Sequence, residues 1–211
     1  PDAGQNPHDI LAMAQRLAGT FTQGAVAIVA PPHSCDEGGE GFQWFSQRGE
    51  DDSNRVQRLQ AAQPEFLATV QAWQQRTGLP AERTALLAFG QSGMLALEAV
   101  AQSHQVAARV FAIGARYAQL PPAMHQHTTL HWLHGKEDEV VPYHAATEAG
   151  YHLRSLDADF TVDVFAETGR ALTSEMQDRV LHLLQNHVPL RIWREAMTQA
   201  AQQADGNDTV H

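Results

Sequence analysis

Thr84-Ala-Leu-Leu-Ala-Phe-Gly-Gln-Ser-Gly-Met94 is the stretch on which the fold turns. Thr84–Phe89 is a short, almost wholly apolar run, Met94–Val100 is an apolar helix, and Gly90-Gln91-Ser92-Gly93 joins them. A continuous apolar run, rather than one alternating with polar residues, marks a strand covered on both faces, as in a parallel sheet. The same unit recurs outward from this point. Ala25–Ala30, closed by Pro31-Pro32, reads as an earlier buried strand, and Val110–Ile113, Leu130–Leu133 and Phe160–Phe165 as later ones. Between and around them lie helical patterns. Asn6 caps a helix with Pro7 at its first position and Ile10, Leu11, Ala14, Leu17 and Ala18 on one face, stopped by Gly19. Asp51–Asn54 opens a longer one through Leu59, Phe66, Val70 and Trp73 to Gly78, with a kink expected at Pro64. Tyr143–Leu156 and Ser174–His187 follow, then a last helix after Pro189 with Ile192, Trp193, Ala196, Met197 and Ala200 on one side. Strand-helix alternation of this kind predicts an open α/β sheet with helices on both faces. The reading gives one domain over residues 1–201 and a polar, unstructured tail over 202–211.

The 211 residues and 23.2 kDa leave room for one ordinary domain. Fourteen basic residues, of which only Lys136 is a lysine, stand against twenty-four acidic ones, and the net charge of −10 argues against a nucleic-acid partner. No apolar run approaches the roughly 18 residues that span a bilayer. The lone Cys35 precludes an internal disulfide and a cysteine-based zinc site, which suits a reducing, cytoplasmic setting. The opening Pro1-Asp2 lacks an initiator methionine and reads as something other than the natural amino terminus.

In an open α/β sheet ligands sit beyond the carboxyl ends of the strands, so three segments matter. Ala88–Met94 has the strand-turn-helix context of a nucleophile elbow, which needs small residues two before and two after the nucleophile. Centred on Gly90 the flanks are Ala88 and Ser92, both small; centred on Ser92 they are Gly90 and Met94. The frame therefore points to a residue without a side chain. His134–Pro142 carries Asp138 in a turn after a late strand, where a hydrolase keeps the acid that orients its histidine. Ala166–Ala171 leads to the last long helix, and its Arg170 stands where that histidine belongs. His33, His134 and His144 fall near strand ends as candidate bases for Ser92, and Cys35 lies two residues from His33. The grouping His125, His127, His131 and His134 suggests a metal, but His131 and His134 lie three apart on a strand and face opposite sides, so no metal or other cofactor is expected.

The chain resembles the phospholipase/carboxylesterase family of small α/β-hydrolases, in particular its bacterial carboxylesterase branch related to acyl-protein thioesterases. The likeness runs from about Gly4 to Met197 and rests on Gly4-Gln-Asn-Pro7, Gln43-Trp-Phe-Ser46, Asn54-Arg55, Ala85–Phe89 with Ala96-Leu-Glu-Ala99, Arg109-Val-Phe-Ala112 with Arg116-Tyr117, and His134-Gly-Lys-Glu-Asp138. The resemblance implies the α/β-hydrolase fold, hydrolysis of small or acyl esters, Asp138 as triad acid, backbone N–H groups of Ala3 and Gln91 as oxyanion donors, and Trp44 and Phe45 at the border of the acyl pocket. It also locates the departures. Family members read Gly-Phe-Ser-Gln-Gly where this chain reads Ala88-Phe-Gly-Gln-Ser92, Gly-His where it reads Gly169-Arg170, and His-Gly where it has Pro1-Asp2.

Glycine cannot attack an ester, and arginine holds its proton too tightly to act as a general base. A carboxylate at Asp2 opposes the charge that an oxyanion hole stabilises. The expectation is an esterase scaffold with little or no turnover, in which Asp138 and Arg170 pair across the triad position. Two alternatives stand beside it: an active esterase using Ser92 in a shifted elbow, and a non-catalytic protein binding an anion through Arg170. In the resembling family a strand in the middle of the sheet leads into the segment matching Pro1–Pro7, so an unpaired interior edge is expected here.

Overall fold

The structure is a computed structural model that describes residues 1–36, 38–102, 105–124 and 127–207. After a 3₁₀ turn at Pro7–Ile10 come α1 (Leu11–Thr20), the two-residue strands β1 (His33–Ser34) and β2 (Phe42–Gln43), and α2 (Arg55–Thr77). The main sheet is then built by β3 (Ala85–Phe89), α3 (Gly90–Ala101), β4 (Arg109–Ile113), β5 (Thr129–Gly135), α4 (His144–Ser155) and β6 (Phe160–Phe165). It is followed by α5 (Ser174–Asn186) and α6 (Leu190–Asn207). β3, β4, β5 and β6 lie side by side in that order, all parallel, while β1 and β2 form a small antiparallel pair.

Alternation along the parallel strands divides the interior in two. Ala88, Val110, Ala112, Leu130 and Trp132 face α2, α3 and α4, whereas Phe89, Phe111, Ile113, Leu133 and Phe165 face α1 and α5. Covered on both sides, β4 and β5 are almost wholly buried, β4 through the apolar run Val110–Ile113 and β5 with Thr129, His131 and His134 buried among its apolar residues.

Four local expectations are corrected. Ala25–Ala30 is not a strand: it makes no ladder, and most of it is exposed. Its apolar residues would be stable as a strand only with a neighbour for their N–H and C=O groups, and the edge of β3 lies across an open groove from it. α3 begins at Gly90, so Gly90–Gly93 is its first turn and not a linker before Met94. Asn6 caps the 3₁₀ turn through a capping box with Asp9, and α1 continues past Gly19, which is exposed in its last turn, where glycine costs only about 1 kcal/mol. The segment expected to lack structure from Gln202 is helical to Asn207; residues 208–211 lie outside the described residues. α2 keeps Pro64 inside it and ends, as read, at Gly78, which takes the left-handed C-cap conformation with φ 68°.

Candidate active site

The turn from β3 into α3 is sharp because Gly90 adopts φ 45°, a left-handed conformation that L-residues enter at a cost. That strained strand-to-helix geometry belongs to an elbow centred on position 90, where the small-residue frame put it. Gly93, one turn into α3, lies so close to Ala115 that a Cβ there would come within 2.6 Å of the Ala115 Cβ. The helix can therefore start tight against the sheet.

Into the space beside Gly90 comes a side chain from the other end of the sequence. Asp2 Oδ1 accepts hydrogen bonds from the backbone N–H of Gln91 and of Ala3, each at 2.8 Å. These are the two amides assigned to an oxyanion hole, and they converge on one carboxylate oxygen. Asp2 Oδ2 accepts from Arg170 Nε at 2.7 Å and pairs with Arg170 Nη2 at 2.5 Å. Arg170 Nη1 reaches the other way, to Asp138 Oδ2 at 3.0 Å and the Gly114 carbonyl at 3.1 Å. Asp138 Oδ1 in turn accepts from the amides of Val140 and Val141, both at 2.9 Å. The guanidinium is thus clamped between two carboxylates, whose side chains are 9% and 1% exposed against 22% for its own. A Cβ on Gly90 would stand 1.8 Å from Asp2 Oδ1, so Asp2 fills the space a nucleophile's side chain would need.

Ser92 is buried and committed. Its hydroxyl donates to the Pro1 carbonyl and accepts from Trp44 Nε1 at 2.9 Å, and neither partner is a base. The candidate histidines are engaged elsewhere. His134 Nε2 donates to the Val141 carbonyl at 2.7 Å and lies 3.7 Å from Asp138, and burial pushes its pKa down, with Val141 and Asp138 opposing. His33 faces Glu65 at 3.3 Å, and His144 stacks on Tyr143 with ring centroids 4.0 Å apart. Cys35 Sγ lies 3.6 Å from the Phe42 carbonyl, and the imidazole of His33 is engaged by Glu65. His131 bonds Thr161 through Nδ1 at 3.0 Å and stacks on Phe111; His125 lies outside the described residues. Among the described residues no three His, Cys, Asp or Glu side chains are grouped to hold a metal.

Trp44 and Phe45 are fixed to the elbow through Gln91. Gln91 Oε1 accepts from the Trp44 and Phe45 amides at 2.9 and 3.4 Å, while its Nε2 donates to the Phe45 carbonyl. The Trp44 ring packs edge-on to Phe66, centroids 5.3 Å apart, so it is a core residue that also lines one end of the groove beside β3. The sequence reading placed Asp2 near the oxyanion loop but missed its bonds to Arg170. The signal was the joint replacement of His-Gly by Pro1-Asp2 and of the elbow serine by a residue without Cβ.

A sequence model of the Phospholipase/Carboxylesterase family matches residues 4–188. The chain belongs to this family. Esterase YpfH of Escherichia coli (strain K12) is 35% identical over 158 residues, covering 75% of this chain and 68% of that protein. Among solved structures, esterase PE8 superposes with a TM-score of 0.77 at 21% identity over 89% of each chain. The carboxylesterase from Mesorhizobium loti gives 0.71 at 13% identity over 87% of this chain and 84% of that one. At these identities the structural matches establish the α/β-hydrolase fold. In this member of the family, position 90 lacks a hydroxyl and position 170 holds a guanidinium.

Proposed function

We propose that this chain is a carboxylesterase-family protein without ester turnover, its reaction site closed by its own charges. One observation carries the reading: the Asp2 carboxylate is seated on the amides of Ala3 and Gln91 and held there by Arg170. A substrate carbonyl would have to displace an anion from donors that stabilise an anion, and would then meet no nucleophile. An oxyanion hole alone, without a triad, retains only about 10³–10⁴-fold over water, and here even that is occupied. The same seat bears on the anion-binding alternative. The guanidinium and helix-start amides that suit a carboxylate or phosphate already hold one, supplied by Asp2. The shifted-elbow alternative fares worse, since Ser92 is bonded to Pro1 and Trp44. If a ligand is bound at all, family membership favours a small ester or acyl compound, and the free thiol of Cys35 supports a cytoplasmic setting.

The test is labelling of the purified protein with a fluorophosphonate probe, with peptide mapping of any adduct. No adduct and no hydrolysis of p-nitrophenyl acetate above a heat-denatured control is the expected result. A stoichiometric adduct on Ser92 would overturn the proposal and make the protein a serine esterase with a displaced nucleophile.

A further inference from the structure

Between α2, α3 and the loop that leaves β4 lies a cleft of about 90 Å³, bounded by Val56, Leu59, Gln60, Glu98, Gln102 and Gln119. Glu98 is the one ionisable side chain among these residues. One oxygen of its half-buried carboxylate accepts the Ala118 amide at 3.3 Å, and the other has neither a donor nor a cation among the described residues. The arginines closest to it in the fold are committed elsewhere. Arg116, two residues before Ala118, turns to Asp52 at 3.5 Å, and Arg55 pairs with Glu50 and Asp52. The Tyr117 hydroxyl lies 3.6 Å from Met124 Sδ and gives Glu98 no proton either. Burial raises the Glu98 pKa, with the Ala118 hydrogen bond opposing, so this carboxyl would gain from a positive charge that the chain does not supply. The carboxamides of Gln60, Gln102 and Gln119 are exposed around it and make no hydrogen bond among the described residues, which leaves their acceptor oxygens open.

We propose that this cleft binds a primary alkylammonium ion, its nitrogen on Glu98 and the glutamine rim and its carbon chain against Val56 and Leu59. The donor set selects the class. An ammonium carries three N–H donors on one compact centre, which suits a carboxylate oxygen together with carboxamide oxygens. A guanidinium is a planar fork that calls for two parallel acceptors, and one oxygen of Glu98 is already taken by Ala118. A metal ion such as calcium would want six or more oxygens and would make no use of an apolar wall. Val56 and the buried Leu59 instead gain by covering methylene groups. The net charge of −10 draws cations toward the whole surface. The cleft shares no residue with the Asp2–Arg170 cluster, so this inference stands independently of whether the protein turns over an ester.

The probe is n-butylammonium chloride, titrated into the full chain at constant ionic strength while the side-chain NH₂ resonances of Gln60, Gln102 and Gln119 are followed by NMR. Saturable shifts of these signals are expected, and n-butanol, which has the chain without the charge, and tetramethylammonium, which has the charge without an N–H, should not produce them. Glu98→Gln keeps the side-chain shape and removes the charge, and should weaken binding by about tenfold or more. Gln60→Lys, a change at an exposed position that the fold tolerates, places a tethered ammonium at the rim and should weaken it as much, read at Gln102 and Gln119. Nα-acetyl-lysine methylamide distinguishes the source: tighter binding than n-butylammonium assigns the ammonium to a polypeptide side chain, weaker binding to a free amine. Three results would overturn the proposal: no shift at any soluble amine concentration, equal shifts from potassium or tetramethylammonium, or unchanged affinity in either variant.

Discussion

Gly90→Ser, the change that restores a hydroxyl to the elbow, should by itself damage the protein. The new Cβ would lie 1.8 Å from Asp2 Oδ1 and 2.0 Å from its Cγ, so the carboxylate must leave its seat. A non-glycine residue at φ 45° costs about 1–2 kcal/mol. Separating Asp2 from Arg170 and leaving two amides without their acceptor costs about 3 kcal/mol, the low end for breaking a buried pair. The single substitution should therefore lose about 4–5 kcal/mol, or about 10–20 °C in Tm for a chain of this size. Asp2→Gly removes the same carboxylate and should lose about 3 kcal/mol by the same reasoning. In the double variant the carboxylate is lost only once. Its destabilisation should match Gly90→Ser alone, giving a coupling of about 3 kcal/mol in a double-mutant cycle. Urea unfolding of the four proteins measures this directly. If the two losses simply add, or if Gly90→Ser leaves the midpoint unchanged, the assignment of Asp2 to the nucleophile's space is wrong.

The clamp makes a second prediction. Arg170→Met leaves two buried carboxylates without their cation and should cost about 3–5 kcal/mol, read as a lowered urea midpoint at constant slope. Combining Asp2→Gly, Gly90→Ser and Arg170→His should yield fluorophosphonate labelling at position 90, and omitting Asp2→Gly from the set should abolish it. The folded chain should also lose stability on acidification. Burial lowers the His131 pKa to about 3, and burial likewise lowers those of His134 and His187. The unfolded chain takes up these protons first, so the His131 contribution is complete above about pH 6.5 and is lost as pH falls toward 3, at up to about 1.4 kcal/mol per unit. Thermal unfolding of His131→Gln between pH 7.5 and 4.5 should show a shallower slope than the parent; an identical slope would exclude His131 as its source.

β3 and β4 were legible in the sequence to within a residue because their apolar runs suit strands packed on both faces, and β5 and β6, interrupted by His131, Thr161 and Asp163, because their short apolar segments alternate with helical patterns. Ala25–Ala30 has the same composition and is no strand. Strand formation depends on a neighbour's main chain, which composition does not encode. The start of α3 was misplaced for a related reason. Two glycines in four residues ordinarily signal a turn, but Gly90 is there for its positive φ and Gly93 for its close approach to Ala115, and both serve a helix that begins at once. Positions 90, 138 and 170 could be located from the resemblance because each sits just after a strand. The contact between Asp2 and Arg170 joins residues 168 apart and could not be read from local pattern.

Positions 2, 90 and 170 form one physical unit, and their chemistry explains why they would be hard to change singly. Arginine at 170 brings a fixed charge beside Asp138, where a histidine could have been neutral, and the guanidinium has more donors than one carboxylate can satisfy. Asp2 accepts the remaining donors. It can reach them only because position 90 has no Cβ, and it is stable there because the Ala3 and Gln91 amides would otherwise be buried donors without an acceptor. The two carboxylates and one guanidinium leave the cluster a net charge of −1, set against the partial positive charge at the start of α3. Oriented amides and a helix terminus, the features that suit a transition-state oxyanion, here hold a ground-state carboxylate, and under the function proposed above the interactions that stabilise the scaffold are the same ones that would exclude a substrate.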